Sequence, residues 1–131
     1  MIGVDSDVMI DVLKNNQNVI RKLSELPPDE LCTSEIVVYE VLYGIFASQN
    51  PEPRLKQFKA LLDTFAYVFP VDRKSSLKSA EIAAKLTKSG KMTGHQDALI
   101  AGSLMANGCK KFVTGNAKNF RNISELEVIP C

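Results

Sequence analysis

The sequence predicts an α/β fold in which a central parallel sheet is covered by helices on both faces. Short apolar runs that end at polar or turn-forming residues indicate strands, and longer segments with helical spacing of apolar residues separate them. This alternation is typical of parallel sheets. The chain has 131 residues, of which 45% are hydrophobic and 24% charged, which predicts one domain over residues 1–131.

The first half of the chain is predicted to contain three strands and four helices. A strand over residues 1–4 stops at Asp5, and Asp5 or Ser6 can cap the helix that follows over residues 7–14. The other predicted elements are a helix over 17–26, a strand over 31–33, a helix from a cap at Thr33 or Ser34 to about 47, a helix over 54–64 with Pro53 in its first turn, and a strand over 67–71.

The second half is predicted to contain two helices and two strands. One helix covers residues 74–89 and ends at Gly90, and a second covers 95–107 and stops at Gly108. The second helix is apolar almost all round, which predicts that it is buried. Strands over 111–114 and 126–129 complete the sheet. In such sheets the functional site lies beyond the carboxyl ends of the strands, near the point where the strand order reverses.

Composition argues against several classes of protein. No run of 18 or more apolar residues is present, so we expect no membrane span. The N-terminal segment reaches an acidic residue at Asp5, which is not typical of a signal peptide. Three cysteines, an odd number without metal-ligand spacing, indicate a reducing compartment and predict a cytoplasmic protein.

The net charge of +1 conceals an asymmetry between the two halves. Residues 1–72 contain six basic and eleven acidic side chains, whereas residues 73–131 contain ten basic and four acidic ones. The segment 73–91 holds six of the basic side chains against Glu81 alone. It is either a solvated helix face or a surface for an anionic partner, such as the phosphates of a nucleic acid.

Three acids lie at positions where burial of a carboxylate is costly or where the predicted fold directs the side chain toward the site. Asp5 closes the first strand, Glu40 interrupts the most apolar stretch of the chain, and Asp97 opens the buried helix. Each has an ordinary alternative: Asp5 can cap a helix, Asp97 can complement a helix dipole, and Glu40 can turn its carboxylate to water.

Convergence of the three carboxylates would cause mutual repulsion, and burial would raise their pKa values further. A divalent cation offsets both effects, and a set of oxygen ligands without Cys or His favours Mg²⁺ or Mn²⁺. Such a site without a catalytic histidine suggests phosphodiester hydrolysis. It predicts that Glu40 faces the carboxyl end of the first strand, near Asp5, with little solvent around it. Thr114 and Asn116 lie at the end of the strand predicted over 111–114, so they are expected at the same edge of the sheet as the acids. A plain role in a turn is the alternative.

Four segments together resemble the successive motifs of PIN-domain ribonucleases, particularly the VapC-type toxins of prokaryotic toxin–antitoxin pairs. They are VDSDVMIDVL (4–13), SEIVVYEVLYG (34–44), DALIAGSLMANG (97–108) and FVTGNAKNF (112–120). The resemblance covers essentially the whole chain. It implies a three-layer α/β/α fold, cleavage of RNA such as tRNA or rRNA with Mg²⁺ or Mn²⁺, a cognate antitoxin that blocks the site, and a homodimer.

The resemblance also implies roles for individual residues. Asp5, Glu40 and Asp97 match the three metal-binding acids, and Asn116 falls where many members have a fourth acid and others Asn. Ser6 and Thr114 match the hydroxyl residues of the first and last motifs.

Two positions depart from the usual pattern of this family. Asn116 in place of Asp removes a negative charge and makes one-metal chemistry plausible. Asp7 stands where Asn or Ser is usual, so it either adds an outer carboxylate or is simply an acid in the first turn of a helix.

Two other functions are compatible with parts of the sequence. Asp5-Ser6-Asp7 has the DxD form of the HAD-type phosphatases, in which Asp5 would be the nucleophile and Asp7 the acid/base. A PIN-like scaffold that binds RNA or protein without cleavage is the second alternative. His95 is predicted to be incidental, and Tyr39 and Tyr43 are predicted to lie in the core or in a dimer interface.

Overall fold

The computed structural model describes all 131 residues. The strands are β1 (Ile2–Val4), β2 (Leu31–Ser34), β3 (Tyr67–Phe69), β4 (Lys111–Thr114) and β5 (Glu127–Pro130). The helices are α1 (Ser6–Leu13), α2 (Gln17–Ser24), α3 (Glu35–Phe46), α4 (Pro51–Asp63), α5 (Arg73–Lys88) and α6 (His95–Met105), with 3₁₀ turns at Pro28–Glu30 and Ala117–Asn119. None of the α-helices combines the length and the apolar composition that a membrane span requires.

Every predicted helix and strand is present, and the differences lie at their ends. The largest is in α4, which begins at Pro51 rather than near residue 54. Pro51 occupies the first helical position, where its missing N–H costs nothing, so Pro53 lies inside the helix rather than at its start. Gly90 and Gly108 follow α5 and α6 with φ values of 70° and 84°, as expected of glycines that end helices.

The five strands form one parallel sheet in the order β3-β2-β1-β4-β5. Because crossovers between parallel strands are right-handed as a rule, this strand order places α1 to α4 on one face of the sheet and α5 with α6 on the other. The predicted three-layer α/β/α fold is confirmed. From β1 the chain adds β2 and β3 toward one edge of the sheet, and from β4 it adds β5 toward the other edge. The strand order therefore reverses between β1 and β4, which is where a site is expected.

A single apolar core joins the sheet to both helical layers. Phe112 and Phe120 pack edge to face with their ring centroids 4.8 Å apart, and Phe58 of α4 is fully buried. Most residues of α6 are buried, as its apolar composition predicted. The thiols of Cys32 and Cys109 are also buried and are not bonded to each other as a disulfide.

The exposed side of α3 corrects one expectation. Tyr39, Tyr43 and Phe46 are 63%, 60% and 60% exposed, so they do not belong to the core of this chain. The rings of Tyr39 and Tyr43 stack on each other with centroids 6.5 Å apart. A helix with apolar residues on all sides can bury only the side that meets its own sheet, here through Val37, Val41 and Ile45. The alternative role of the two tyrosines in a dimer interface stays a prediction.

Close packing of α5 against α6 depends on Gly102. A Cβ atom at this position would lie 1.9 Å from Ser79 Oγ, and 2.6 Å and 2.7 Å from the backbone N and Cα of Ser79. Because two of these atoms belong to the backbone, no side-chain rotation removes the overlap. The two helices would have to separate.

Gly102→Ala is therefore expected to lower the free energy of unfolding by about 2–3 kcal/mol, in the range for overpacked cores. Urea denaturation followed by circular dichroism measures the change. Gly44→Ala in α3 is the matched control, because a Cβ at Gly44 meets no atom within 4 Å. It should stabilise the protein by up to about 1 kcal/mol through helix propensity. A Gly102→Ala protein as stable as wild type would contradict the close α5–α6 packing.

Candidate active site

Asp5 lies at the point where the strand order reverses. It follows the end of β1 and caps α1, and its backbone N–H donates to the carbonyl of Val113 in β4 at 3.0 Å. Its Oδ1 accepts a hydrogen bond from the backbone N–H of Ser6 at 2.7 Å, and its Oδ2 accepts one from the Thr114 hydroxyl at 2.6 Å. The side chain is only 6% exposed. Asp5 is thus held between the first and the fourth strand, away from water.

The environment of Asp5 disfavours its charged form. The pKa of Asp5 is raised from 3.8 to about 6, chiefly by burial and also by the nearby carboxylates of Asp7 and Glu40. The hydrogen bonds from Thr114 and Ser6 act in the opposite direction and limit the rise. A positive charge beside Asp5 would relieve both the burial and the repulsion.

Glu40 faces the same edge from α3. Its Oε1 accepts a hydrogen bond from the Ser6 hydroxyl at 2.8 Å, and its Oε2 accepts one from the side-chain amide of Gln96. Ser6 therefore links two acids, with its backbone on Asp5 and its hydroxyl on Glu40. The expected direction of Glu40, toward the end of β1, agrees with the structure. The expected absence of solvent does not, since Glu40 is half-buried and the neighbouring tyrosines turn outward.

Asp97 lies in the first turn of α6, and the residue before that helix, Gly94, provides no side-chain cap. Asp97 Oδ2 accepts hydrogen bonds from the Thr93 hydroxyl at 3.1 Å and from the side-chain amide of Asn119 at 3.4 Å. Burial raises the pKa of Asp97, and these two hydrogen bonds partly offset that rise. No protein group donates to Oδ1, which leaves this oxygen available for a ligand.

Thr114 and Asn116 lie at the end of β4, as predicted, but they contribute differently. The Thr114 hydroxyl donates to Asp5 and accepts a hydrogen bond from the backbone N–H of Asn116 at 2.9 Å. The side chain of Asn116 makes no hydrogen bond to the protein. Thr114 therefore orients Asp5, while the amide of Asn116 remains free.

Asp7 lies close to the same loop. A Cβ atom on Gly115 would lie 2.6 Å from Asp7 Oδ2, so any other residue at position 115 would require the Asp7 carboxylate to move. Asp7 Oδ1 accepts a hydrogen bond from the backbone N–H of Val8 at 2.8 Å, which fits the role of an acid in the first turn of α1. Its carboxylate also contributes to the repulsion that raises the pKa of Asp5.

The side chains do not form a closed metal cage as they stand: no three His, Cys, Asp or Glu side chains lie close enough together to hold an ion. Asp5 and Glu40 are joined through Ser6, whereas Asp97 is turned toward Thr93 and Asn119. Repelling carboxylates are expected to turn to separate hydrogen-bond donors in this way. The donor set consists of carboxylate oxygens, and such oxygens suit a hard divalent cation.

Three residues that contact the acids were not identified from the sequence. They are Thr93 and Asn119, which bind Asp97, and Gln96, which binds Glu40. Their positions beside Asp97 and within the loop after β4 were the available signals, but polar residues are common in such places. His95, in contrast, is exposed and makes no side-chain hydrogen bond, as expected of an incidental residue.

Comparison with known proteins identifies relatives over nearly the whole chain. A "tRNA(fMet)-specific endonuclease VapC" of Shigella flexneri is 28% identical over 126 residues, which cover 94% of this chain and 92% of the relative. "Ribonuclease VapC1" of Haemophilus influenzae strain R2866 is 29% identical over 126 residues, which cover 95% of this chain and 92% of the relative.

Among solved structures, the VapBC complex of Salmonella typhimurium bound to DNA contains a chain with the same fold. The TM-score is 0.87 at 26% identity, and the match covers 98% of this chain and 96% of that one. The PIN domain family matches residues 2–126. Since this match includes β1 and β4 and all the acids between them, the chain belongs to the PIN domain family.

Proposed function

We propose that this protein is a divalent-metal-dependent endoribonuclease that hydrolyses phosphodiester bonds in RNA and acts in the cytoplasm as a toxin neutralised by a cognate antitoxin. The observation that carries the proposal is the connection of Asp5 to Glu40 through Ser6 at the β1–β4 reversal point. A buried carboxylate with a pKa raised to about 6 is costly unless a cation or a reaction uses it. The names of the two relatives, an endonuclease and a ribonuclease, support this reading.

The proposed cofactor is Mg²⁺ or Mn²⁺, held by Asp5, Glu40 and Asp97. When bound, such an ion supplies electrostatic stabilisation of the phosphate and activation of a water molecule. A small rotation of Asp97 away from Thr93 is compatible with this role, because its Oδ1 has no other partner. No His or Cys ligand lies among these acids, and oxygen-only sets favour these two ions.

The protein's own groups have distinct parts in the proposed reaction. Ser6 and Thr114 hold Asp5, the carboxylate farthest from water, in one orientation. The free side-chain amide of Asn116 can donate to a phosphate oxygen of the substrate or hold a water in place, and we count it among the catalytic residues. Asp7 lies outside this set and adds negative charge that strengthens the attraction for a cation.

Basic residues of α5 and the following connector provide a surface for the RNA backbone. Lys78 and Lys85 pair with Glu81 at 3.3 Å and 3.7 Å, so they belong partly to a solvated helix face. The other four cations of this segment, Arg73, Lys74, Lys88 and Lys91, have no acidic partner within the chain. Unpaired cations attract phosphates without reading sequence. One relative is named for cleavage of tRNA(fMet), so structured tRNA is the substrate class we propose first.

The proposed protein partners are an antitoxin and a second copy of the chain. The Salmonella relative was solved as a VapBC complex, and the structure from Haemophilus influenzae with 27% identity is also a VapBC complex. The exposed aromatic side of α3 is a candidate surface for the homodimer. The phosphatase alternative required Asp5 as nucleophile and Asp7 as acid/base. The match of the chain to the PIN domain family gives this alternative no support.

Cleavage of a labelled initiator tRNA tests the proposal. Wild-type protein is expected to produce discrete fragments with Mn²⁺ or Mg²⁺ and intact RNA with EDTA, and Asp97→Asn to leave the RNA intact under all conditions. Cleavage that persists in EDTA would contradict the metal requirement. Intact tRNA and rRNA in every reaction, with RNA binding retained in a gel-shift assay, would instead favour the scaffold without cleavage.

A further inference from the structure

Glu40 is held by two donors that come from different elements. Ser6 belongs to the first turn of α1 and Gln96 to the first turn of α6, and each donates to one oxygen of the Glu40 carboxylate. The contact from Gln96 is the only side-chain hydrogen bond between α6 and this acid. It spans 56 positions in the chain and connects the helix that bears Glu40 to the helix that bears Asp97.

Gln96 is otherwise an unremarkable surface residue. It is exposed, and its side chain makes no other hydrogen bond. A glutamine in such a position has many rotamers, and its ordering on Glu40 costs side-chain entropy. Without Gln96, Ser6 would be the single donor to the Glu40 carboxylate, and the half-buried side chain would be less firmly oriented against solvent.

The chemistry of the Gln96 side chain suits a carboxylate that must also bind a cation. A lysine or arginine at this position would form an ion pair with Glu40 and oppose the entry of a metal cation. The neutral amide donates one hydrogen bond and uses one of the two lone-pair sites of the accepting oxygen. The accepting oxygen therefore retains capacity for a ligand.

We infer that Gln96 is a positioning residue for Glu40, whose carboxylate it holds on the side of α3 that faces Ser6, Asp5 and the start of α6. This inference rests on the proposed function, since it assigns Gln96 to the same metal site. Donors that orient ligating carboxylates typically account for about 10- to 100-fold in metal affinity or activity. Gln96 thus acts through Glu40 and is not itself a catalytic residue.

The test is Mn²⁺ binding by isothermal titration calorimetry, with wild type, Gln96→Leu and His95→Ala. Gln96→Leu is expected to bind Mn²⁺ about 10-fold more weakly or worse, because leucine retains the bulk and removes the donor. Its melting temperature without metal should match that of wild type, as for other surface substitutions. His95→Ala is the matched control, since His95 is the adjacent exposed residue and contacts no acid.

Activity provides a second readout that a purely structural role would not change in the same way. The Gln96→Leu defect in tRNA cleavage should diminish as Mn²⁺ is raised, with KM for RNA unchanged. A defect that is independent of Mn²⁺ concentration, or Mn²⁺ affinity equal to wild type, would overturn the positioning role of Gln96.

Mn²⁺ binding by Asp5→Asn distinguishes a failure of the role of Gln96 from a failure of the proposed metal site. Loss of Mn²⁺ binding in Asp5→Asn together with normal binding in Gln96→Leu would overturn the inference for Gln96 and leave the proposed metal site standing. Unchanged binding in both variants would overturn the metal site and, with it, the role of Gln96.

Discussion

Replacement of Glu40 by glutamine is expected to reduce RNA cleavage by about a thousandfold while the protein remains folded. A metal site contributes several kcal/mol of transition-state stabilisation, and each 1.36 kcal/mol corresponds to a factor of ten in rate, so loss of ~4 kcal/mol gives about this factor. The fold should persist because Glu40 is half-buried, and glutamine has nearly the same shape. Initial rates of tRNA cleavage at fixed Mn²⁺, together with circular dichroism, provide the measurement.

Glu35→Gln is the matched control for this substitution. Glu35 begins the same helix, is exposed and receives no side-chain hydrogen bond, so the identical chemical change there should leave the cleavage rate within about twofold. Equal rates for Glu40→Gln and wild type would remove Glu40 from the reaction. Equal losses in the two variants would point to a general effect of charge on α3 rather than to a metal ligand.

The order of elements was predictable because it depends on local patterns. Apolar runs, caps and helix-ending glycines gave the strands and helices, and the alternation of the two predicted the parallel sheet. From the sheet rule it followed that Asp5 and Thr114 should meet at one edge, and the 2.6 Å hydrogen bond between them agrees. The start of α4 was missed because Pro51 and Pro53 both suit a first turn, and local chemistry does not rank them.

The parts of the site that escaped prediction depend on how side chains meet across distant segments. Gln96 and Asn119 are neutral residues without a motif of their own, and only the approach of α6 to α3 and to the loop after β4 makes them partners of acids. The expectation of a buried Glu40 failed for a related reason. An apolar run shows that a helix packs somewhere, but not which of its sides remains exposed, and here Tyr39 and Tyr43 occupy the open side.

Asp5→Asn is expected to stabilise the metal-free protein at neutral pH by about 2 kcal/mol. The pKa of Asp5, raised from 3.8 to about 6, corresponds to ~3 kcal/mol of destabilisation when the carboxylate is charged. Asparagine removes that cost, but it has one acceptor oxygen for the two donors, Ser6 and Thr114, and loses about 1 kcal/mol for the unmade hydrogen bond. The melting temperature in EDTA should rise by roughly 5–10 °C.

The pH dependence gives the sign of this effect independently. Between about pH 4 and pH 6 the folded protein retains the proton on Asp5 that the unfolded chain has released, so wild-type stability should fall as the pH rises through this window. Asp5→Asn should lack this component of the slope, whereas Asp29→Asn, at an exposed position, should retain it. Denaturation in EDTA at several pH values measures the slopes, and parallel curves for Asp5→Asn and wild type would contradict a buried, destabilised Asp5.

Addition of Mn²⁺ is expected to reverse the ranking of the two proteins. A cation that binds only the folded state stabilises it in proportion to the logarithm of its concentration over Kd, and wild-type Asp5 provides a ligand that asparagine lacks in charged form. Wild type should therefore gain stability with Mn²⁺ until it matches or exceeds Asp5→Asn, which should respond little. If Asp5 destabilises the metal-free protein and stabilises the metal-bound protein, its burial is explained by its role as a metal ligand. An acid retained merely as a helix cap would show no such reversal.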